Sequence, residues 1–136
     1  YFTEVINGQE GRTRSDYTPS EDDNVLVLGV SGDKGAMGYF GYAYYVENTK
    51  RLKLLGIDDG NGCVVPSEVS INDGTYSPLS RPLFIYVNTS EISRKEVYEF
   101  VKFYLENGQM LAEEGGFVAL PQSMYEDGLS AIANNK

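Results

Sequence analysis

Pro82 is followed by five apolar residues in succession, Leu83, Phe84, Ile85, Tyr86 and Val87. An uninterrupted run of this kind predicts a strand covered on both faces, as in sheets flanked by helices. Such a strand obliges the chain to supply helices, and the next residues offer one. Ser93 and Glu96 have the spacing of a capping box, and Val97, Phe100, Val101 and Tyr104 keep one helical face as far as Asn107-Gly108. A shorter helix is predicted to end at Glu114 before Gly115-Gly116, followed by an extended segment over 117–120. A terminal helix should then run from Pro121 to about Ala133.

The amino-terminal half alternates in the same way. Residues 1–7 read as the end of a helix closed by Asn7-Gly8, and 8–19 as a loop. Ser20 followed by Glu21, Asp22 and Asp23 reads as a hydroxyl N-cap with an acidic first turn, where the helix dipole favours negative charge. The apolar run that follows, 25–30, is open between strand, for its β-branched content, and helix, for its cap. Beyond a turn at 31–35, a short buried strand is expected over 36–40 and a helix over 42–49. A strand over 51–57 should end in the turn Asp58-Asp59-Gly60-Asn61-Gly62. Pro66-Ser67-Glu68 opens a further short helix that stops at Asn72-Asp73-Gly74. Helices and strands in alternation, with no internal repeat, predict an α/β fold.

Composition removes whole classes of function. The 136 residues amount to about one domain, with 41% hydrophobic and 12% aromatic residues, as expected of a packed protein. There is no His, so no Ser-His-Asp triad, no Cys-His pair and no His-ligated metal can be built. The single Cys excludes an internal disulfide framework and a Cys-rich zinc site. With 11 Lys and Arg against 20 Asp and Glu, the net charge of -9 opposes binding to nucleic-acid backbones and to anionic membranes. No apolar run is long enough to span a bilayer, and no signal peptide is visible. The chain opens on Tyr1-Phe2-Thr3-Glu4-Val5-Ile6 as if entering a helix part-way, which is expected of a piece of a longer polypeptide. On that expectation, the missing signal says nothing about compartment.

The motifs that could carry chemistry each have a plainer reading. Asp58-Asp59-Gly60-Asn61-Gly62 resembles the front of a calcium loop, but a loop begun at Asp58 or Asp59 has Val69 or Ser70 where the twelfth-position Glu belongs, so a strand-end turn is expected. The glycines of residues 31–38 fit neither phosphate-loop pattern and precede an apolar segment, as a connecting turn does. Tyr39, Phe40, Tyr42, Tyr44 and Tyr45 suit core packing with hydroxyls at the rim, or else sugar stacking or an interface. Cys63 is expected to be a small buried hydrophobe, since no His can activate it. Asn88-Thr89-Ser90 matches a glycosylation sequon, a pattern common by chance. The pairs Asp22-Asp23 and Asp58-Asp59 are adjacent in sequence, which does not make a converging acid dyad. The loop carrying Arg12, Arg14, Ser15, Asp16 and Tyr17 precedes a helix start that could receive an anion, although Asp16 and the acidic residues at 21–23 oppose it.

Residues 15–27 and 38–44, then 74–87, 99–105 and 116–121, together resemble the periplasmic phosphate-binding proteins of bacterial ABC transporters, the PstS group. The likeness runs over nearly the whole chain, in order. It implies a two-lobed type II binding protein that closes around inorganic phosphate and performs no catalysis, so no enzyme, cofactor or metal is expected. Residues 1–81 would belong to the second lobe, with 21–31 helical and 36–40 a strand returning toward the hinge. Residues 82–136 would be the return strand and helices that normally pack on the first lobe. The family's main anion-gripping turn, an Arg followed by Ser-Gly-Thr, would lie just ahead of Tyr1-Phe2. The main phosphate ligands are therefore expected outside these residues, leaving Arg14, Ser15, Ser20 and Tyr39 as cleft candidates. The implied partners are phosphate, the N-terminal lobe and the transporter permease, in the periplasm or at the cell-envelope exterior. A homodimer could replace the absent cover of 82–134. An adhesive or scaffolding domain that reuses the fold, with the Tyr cluster as its contact surface, is the alternative.

Overall fold

Nine regular elements, seven of them helices, occupy the computed structural model, which describes residues 1–136. They fall into two units, Tyr1–Arg81 and Pro82–Lys136. In the first unit α1 spans Phe2–Asn7 and closes on Gly8, whose φ of 72° is the left-handed conformation that glycine adopts without strain. Residues 9–21 form the expected loop. α2 spans Asp23–Gly32, so the ambiguous apolar run is helical despite its valines. Its cap is Asp22 rather than Ser20: the Asp22 carboxylate accepts from the Asn24 amide at 2.9 Å, while Ser20 Oγ accepts from the amide of Asp22 itself at 3.0 Å. A hydroxyl and a carboxylate both serve as caps, and the one adjacent to the first free amides takes the position. Val27 is the buried residue of this helix, and burial of such a face outweighs the mild helix cost of β-branched residues.

α3, Tyr42–Glu47, packs on α2, and Arg51 reaches back to donate to Ser31 Oγ at 2.8 Å. The expected buried strand at 36–40 is not formed. The segment carries no regular structure and pairs with no strand, and Met37 is 73% exposed. The strand expected over 51–57 likewise shrinks to β1, Ile57–Asp58, paired antiparallel with β2, Cys63–Val64. Asp58 Oδ1 accepts from the amides of Gly60 and Gly62 at 2.9 and 3.0 Å, which makes 58–62 the turn of this hairpin. Cys63 is exposed rather than buried, because a two-stranded ribbon has no second layer to cover it. α4, Glu68–Asn72, begins on a capping box the sequence reading passed over. Ser67 and Ser70 exchange amide-to-hydroxyl bonds at 3.1 and 2.9 Å, and Ser70 is buried.

The second unit also departs from expectation at its start. Residues 83–87 carry no regular structure: no strand pairs with them and no layer covers them, with Phe84 69% and Tyr86 91% exposed. A strand needs a neighbour for its backbone groups, and this chain supplies none there. α5 spans Lys95–Glu106 with Arg94 at its cap position and no side-chain cap bond, so the Ser93–Glu96 box is not made. The turns ahead of the helix explain the shift. The Arg94 amide is already bonded to the Glu91 carbonyl at 3.0 Å, and their side chains pair at 3.0 Å, so the first free amides lie after Arg94. α6, Gly108–Glu114, and α7, Gln122–Asn134, follow as expected, but the extended segment expected over 117–120 forms no strand: Phe117 lies in a bend and 118–120 carry no regular structure.

α5 packs against α7, and the core between them is Ile92, Val101 and Ile132, flanked by Val87, Val97, Tyr98, Leu105 and Leu129. The buried face of α5 is thus Val97, Tyr98, Val101 and Leu105. Phe100 and Tyr104, expected on that face, are exposed, Phe100 by 68%. Both are apolar enough for either side, so periodicity alone could not choose between the two stripes.

Candidate functional site

The four cleft candidates lie in the first unit, and each is engaged locally. Arg14 sits in the loop before α2 and grips Asp16 side-on, Nε to Oδ1 at 2.8 Å and Nη2 to Oδ2 at 2.6 Å. This pairing raises the Arg14 pKa and holds the Asp16 carboxyl below the usual carboxylate value. Arg14 thus has a carboxylate partner within its own loop, in a pair that stands in solvent. Ser15 is exposed beside it. Ser20 Oγ accepts from the Asp22 amide and donates to the Asp22 carbonyl at 3.1 Å. Tyr39, on the irregular segment after α2, stacks on Phe2 of α1 with ring centroids 3.8 Å apart and planes 6° from parallel. No hydrogen bond or ring contact joins any two of the four.

A second group of contacts gathers residues distant in sequence. The Tyr1 hydroxyl donates to the Pro78 carbonyl, and the Arg81 guanidinium lies 4.4 Å from the centre of the Tyr1 ring. Ser77, next to Pro78, hydrogen-bonds the Asp59 carboxylate. That bond, with help from Asn61, keeps Asp59 below the ordinary value. Segment 76–81 is therefore tied at one end to the hairpin turn and at the other to the start of α1. These contacts span up to 77 residues and have no local signature; only the pairing of Tyr1 with Pro78 in space reveals them. Tyr76, half-buried in the same segment, has its phenol pKa raised by burial. Hydroxyls, ring faces and hydrogen-bonded carboxylates can recognise and position. The chain contains no imidazole, and its one Cys stands exposed on the ribbon, opposite Asp58 in the strand register.

The fold defines the class. The chain overlays the crystal structure of "a possible phosphate binding protein from Planctomyces limnophilus DSM 3776" with a TM-score of 0.87 and 49% identity. The overlay covers 98% of this chain and 48% of that one. In sequence it is 47% identical over its full length to protein SphX of Synechococcus elongatus, and 46% identical to SphX of Synechocystis sp.. It is also 41% identical over 134 residues to the phosphate-binding protein PstS of Staphylococcus aureus. No family model matches. The chain is thus homologous, end to end, to SphX proteins and phosphate-binding proteins of the PstS kind. It spans about 40% of the length of the curated relatives it matches. No helix in it is long and apolar enough to cross a membrane.

Proposed function

We propose that this chain is part of a type II solute-binding protein that captures inorganic phosphate for an ABC importer, outside the cytoplasmic membrane and without catalysis. The observation that carries the reading is the coincidence of sequence and fold. Identity of 41–49% to SphX, PstS and a solved phosphate-binding relative extends over 97–100% of the chain. Residues 1–81 act as a segment of the second lobe, and 82–136 as the return strand and helices that pack on a first lobe contributed from elsewhere in the protein. The principal phosphate ligands belong to parts of the relatives beyond this chain. Net negative charge is no obstacle, since anion sites of this sort work by directed hydrogen bonds and local dipoles. The permease is the downstream partner of the intact protein. The chain by itself is a candidate for a homodimer.

A chimera tests the reading. Staphylococcus aureus PstS, with its matching 134-residue segment replaced by this chain, should fold and bind inorganic phosphate in titration calorimetry. A chimera that folds, by its helical circular dichroism, yet binds no phosphate would overturn the reading in favour of an interaction domain that reuses the fold.

A further inference from the structure

Asn is followed by Gly at three places, 7–8, 61–62 and 107–108. At such a step the side-chain carboxamide stands next to a backbone nitrogen that no neighbouring Cβ shields. That nitrogen can attack the carboxamide only when its own N–H is released and the backbone can turn toward it. The three steps differ in how firmly they are held. Asn107 joins α5 to α6, and its backbone amide and side chain both donate to the Phe103 carbonyl, at 3.1 and 2.8 Å. Gly108 is buried there against Tyr125. The Gly8 amide closes α1 on the Thr3 carbonyl, Asn7 Nδ2 donates to the Arg12 carbonyl at 2.6 Å, and the helix is anchored through Tyr1 and Phe2. Asn61 and Gly62 are instead both exposed, in the turn of a ribbon with two residues in each strand. A two-stranded ribbon is marginal by itself, so this step opens most readily of the three. Its restraints are the carboxylates of its own turn. Asp58 Oδ1 holds the Gly62 amide at 3.0 Å, and Asp59 Oδ1 holds Asn61 Nδ2 at 3.1 Å.

We infer that Asn61 is the chain's first site of spontaneous deamidation, with Asp58 and Asp59 as the groups that delay it. The Gly62 nitrogen loses its proton to solvent and bonds to Asn61 Cγ, the Cγ–Nδ2 bond breaks, and ammonia leaves. Water then adds to one of the two carbonyl carbons of the succinimide ring so formed. The bond from that carbon to the ring nitrogen breaks, giving aspartate or isoaspartate at position 61. Asp58 must release the attacking nitrogen before the first step, and Asp59 the departing one. The product alters the turn, because the donor that Asn61 offered to Asp59 becomes a carboxylate facing a carboxylate. Asp59 is also bonded by Ser77, so the change falls on the tie between the hairpin and segment 76–81. This chemistry is independent of whether the chain serves phosphate capture.

Ageing of the 136-residue chain at mildly alkaline pH, followed by peptide mapping with tandem mass spectrometry, reads the order of conversion. Asn61 should convert first, about tenfold or more ahead of Asn107 and also ahead of Asn7, with isoaspartate among the products. Asp58→Ala should speed conversion at Asn61 several-fold and leave the rate at Asn7 unchanged. Asn61→Asp, which makes one product directly, should raise the Asp59 midpoint in a carboxyl NMR titration. Conversion that begins at Asn7 or Asn107, or an Asn61 that stays intact, would overturn the inference. So would an Asp58→Ala rate at Asn61 equal to the parent's, or an Asp59 midpoint unmoved by Asn61→Asp.

Discussion

Gly108 lies where α6 begins, and a Cβ built on it would stand 2.1 Å from Cε1 and 2.4 Å from Cδ1 of Tyr125 in α7. The Tyr125 ring is buried, and its hydroxyl accepts from the Leu120 amide at 3.3 Å, so it cannot swing aside freely. Gly108→Ala should therefore destabilise the second unit by about 1–3 kcal/mol, the usual range for overpacking. A denaturation midpoint equal to that of the parent would show that the ring yields at no cost. Gly38 is a comparable position with a different background. It is exposed, yet an added Cβ would come within 2.7 Å of Val30 Cγ2 and 3.3 Å of the Phe40 ring. Val30 is β-branched and held on a helix, where a single χ1 rotamer dominates, so it gives way poorly. Gly38→Val should lower stability by about 1 kcal/mol or more. Urea unfolding decides it, and an unchanged midpoint would refute the close approach.

At the scale of elements, the turn of the β1–β2 hairpin shows how local polar chemistry holds a weak ribbon. Asp58 caps the turn amides, and Asp59 is bonded by Ser77 and Asn61, which lowers its pKa from the ordinary 3.8. A carboxyl depressed in the fold contributes stability above its unfolded value and loses it as pH falls through the folded value. The hairpin should accordingly loosen only below about pH 4, and Ser77→Ala should move the Asp59 titration upward. Carboxyl NMR titration checks both. An Asp59 midpoint at the ordinary value, or one unmoved by Ser77→Ala, would contradict the bond. Other elements teach the converse. α1, α3, α4, α6 and α7 fall close to where their stops and apolar spacing put them, because those signals act within a turn or so of helix. Segments 36–40 and 83–87 read as strands in composition and form none. Composition describes what a segment can do against a neighbour, while a ladder requires that neighbour to be present.

For the molecule as a whole, the two units have separate small cores: Val27 with the buried Ser70 capping box in one, and Ile92, Val101 and Ile132 in the other. Arg14 is paired with Asp16, and the candidate residues Ser15, Ser20 and Tyr39 are joined neither to it nor to one another. Titration calorimetry at neutral pH should find weak or no phosphate binding by the 136-residue chain. Micromolar binding would overturn the assignment of the principal ligands to other parts of the relatives.

The order of residues alone determined where most of the helices lie, the absence of imidazole chemistry, the net charge of -9 and the likeness to phosphate-binding proteins. These depend on identity and on spacing within a few residues. Tertiary structure decided which stripe of α5 is buried, why Asp22 and Arg94 rather than Ser20 and Ser93 take the caps, and that Cys63 is exposed. It also decided that segment 76–81 is tied to both the hairpin turn and Tyr1, and that residues 83–87 stand uncovered. Each of these depends on which groups meet across tens of residues, and a hydrogen bond or an apolar face acquires its energy only from the partner it meets.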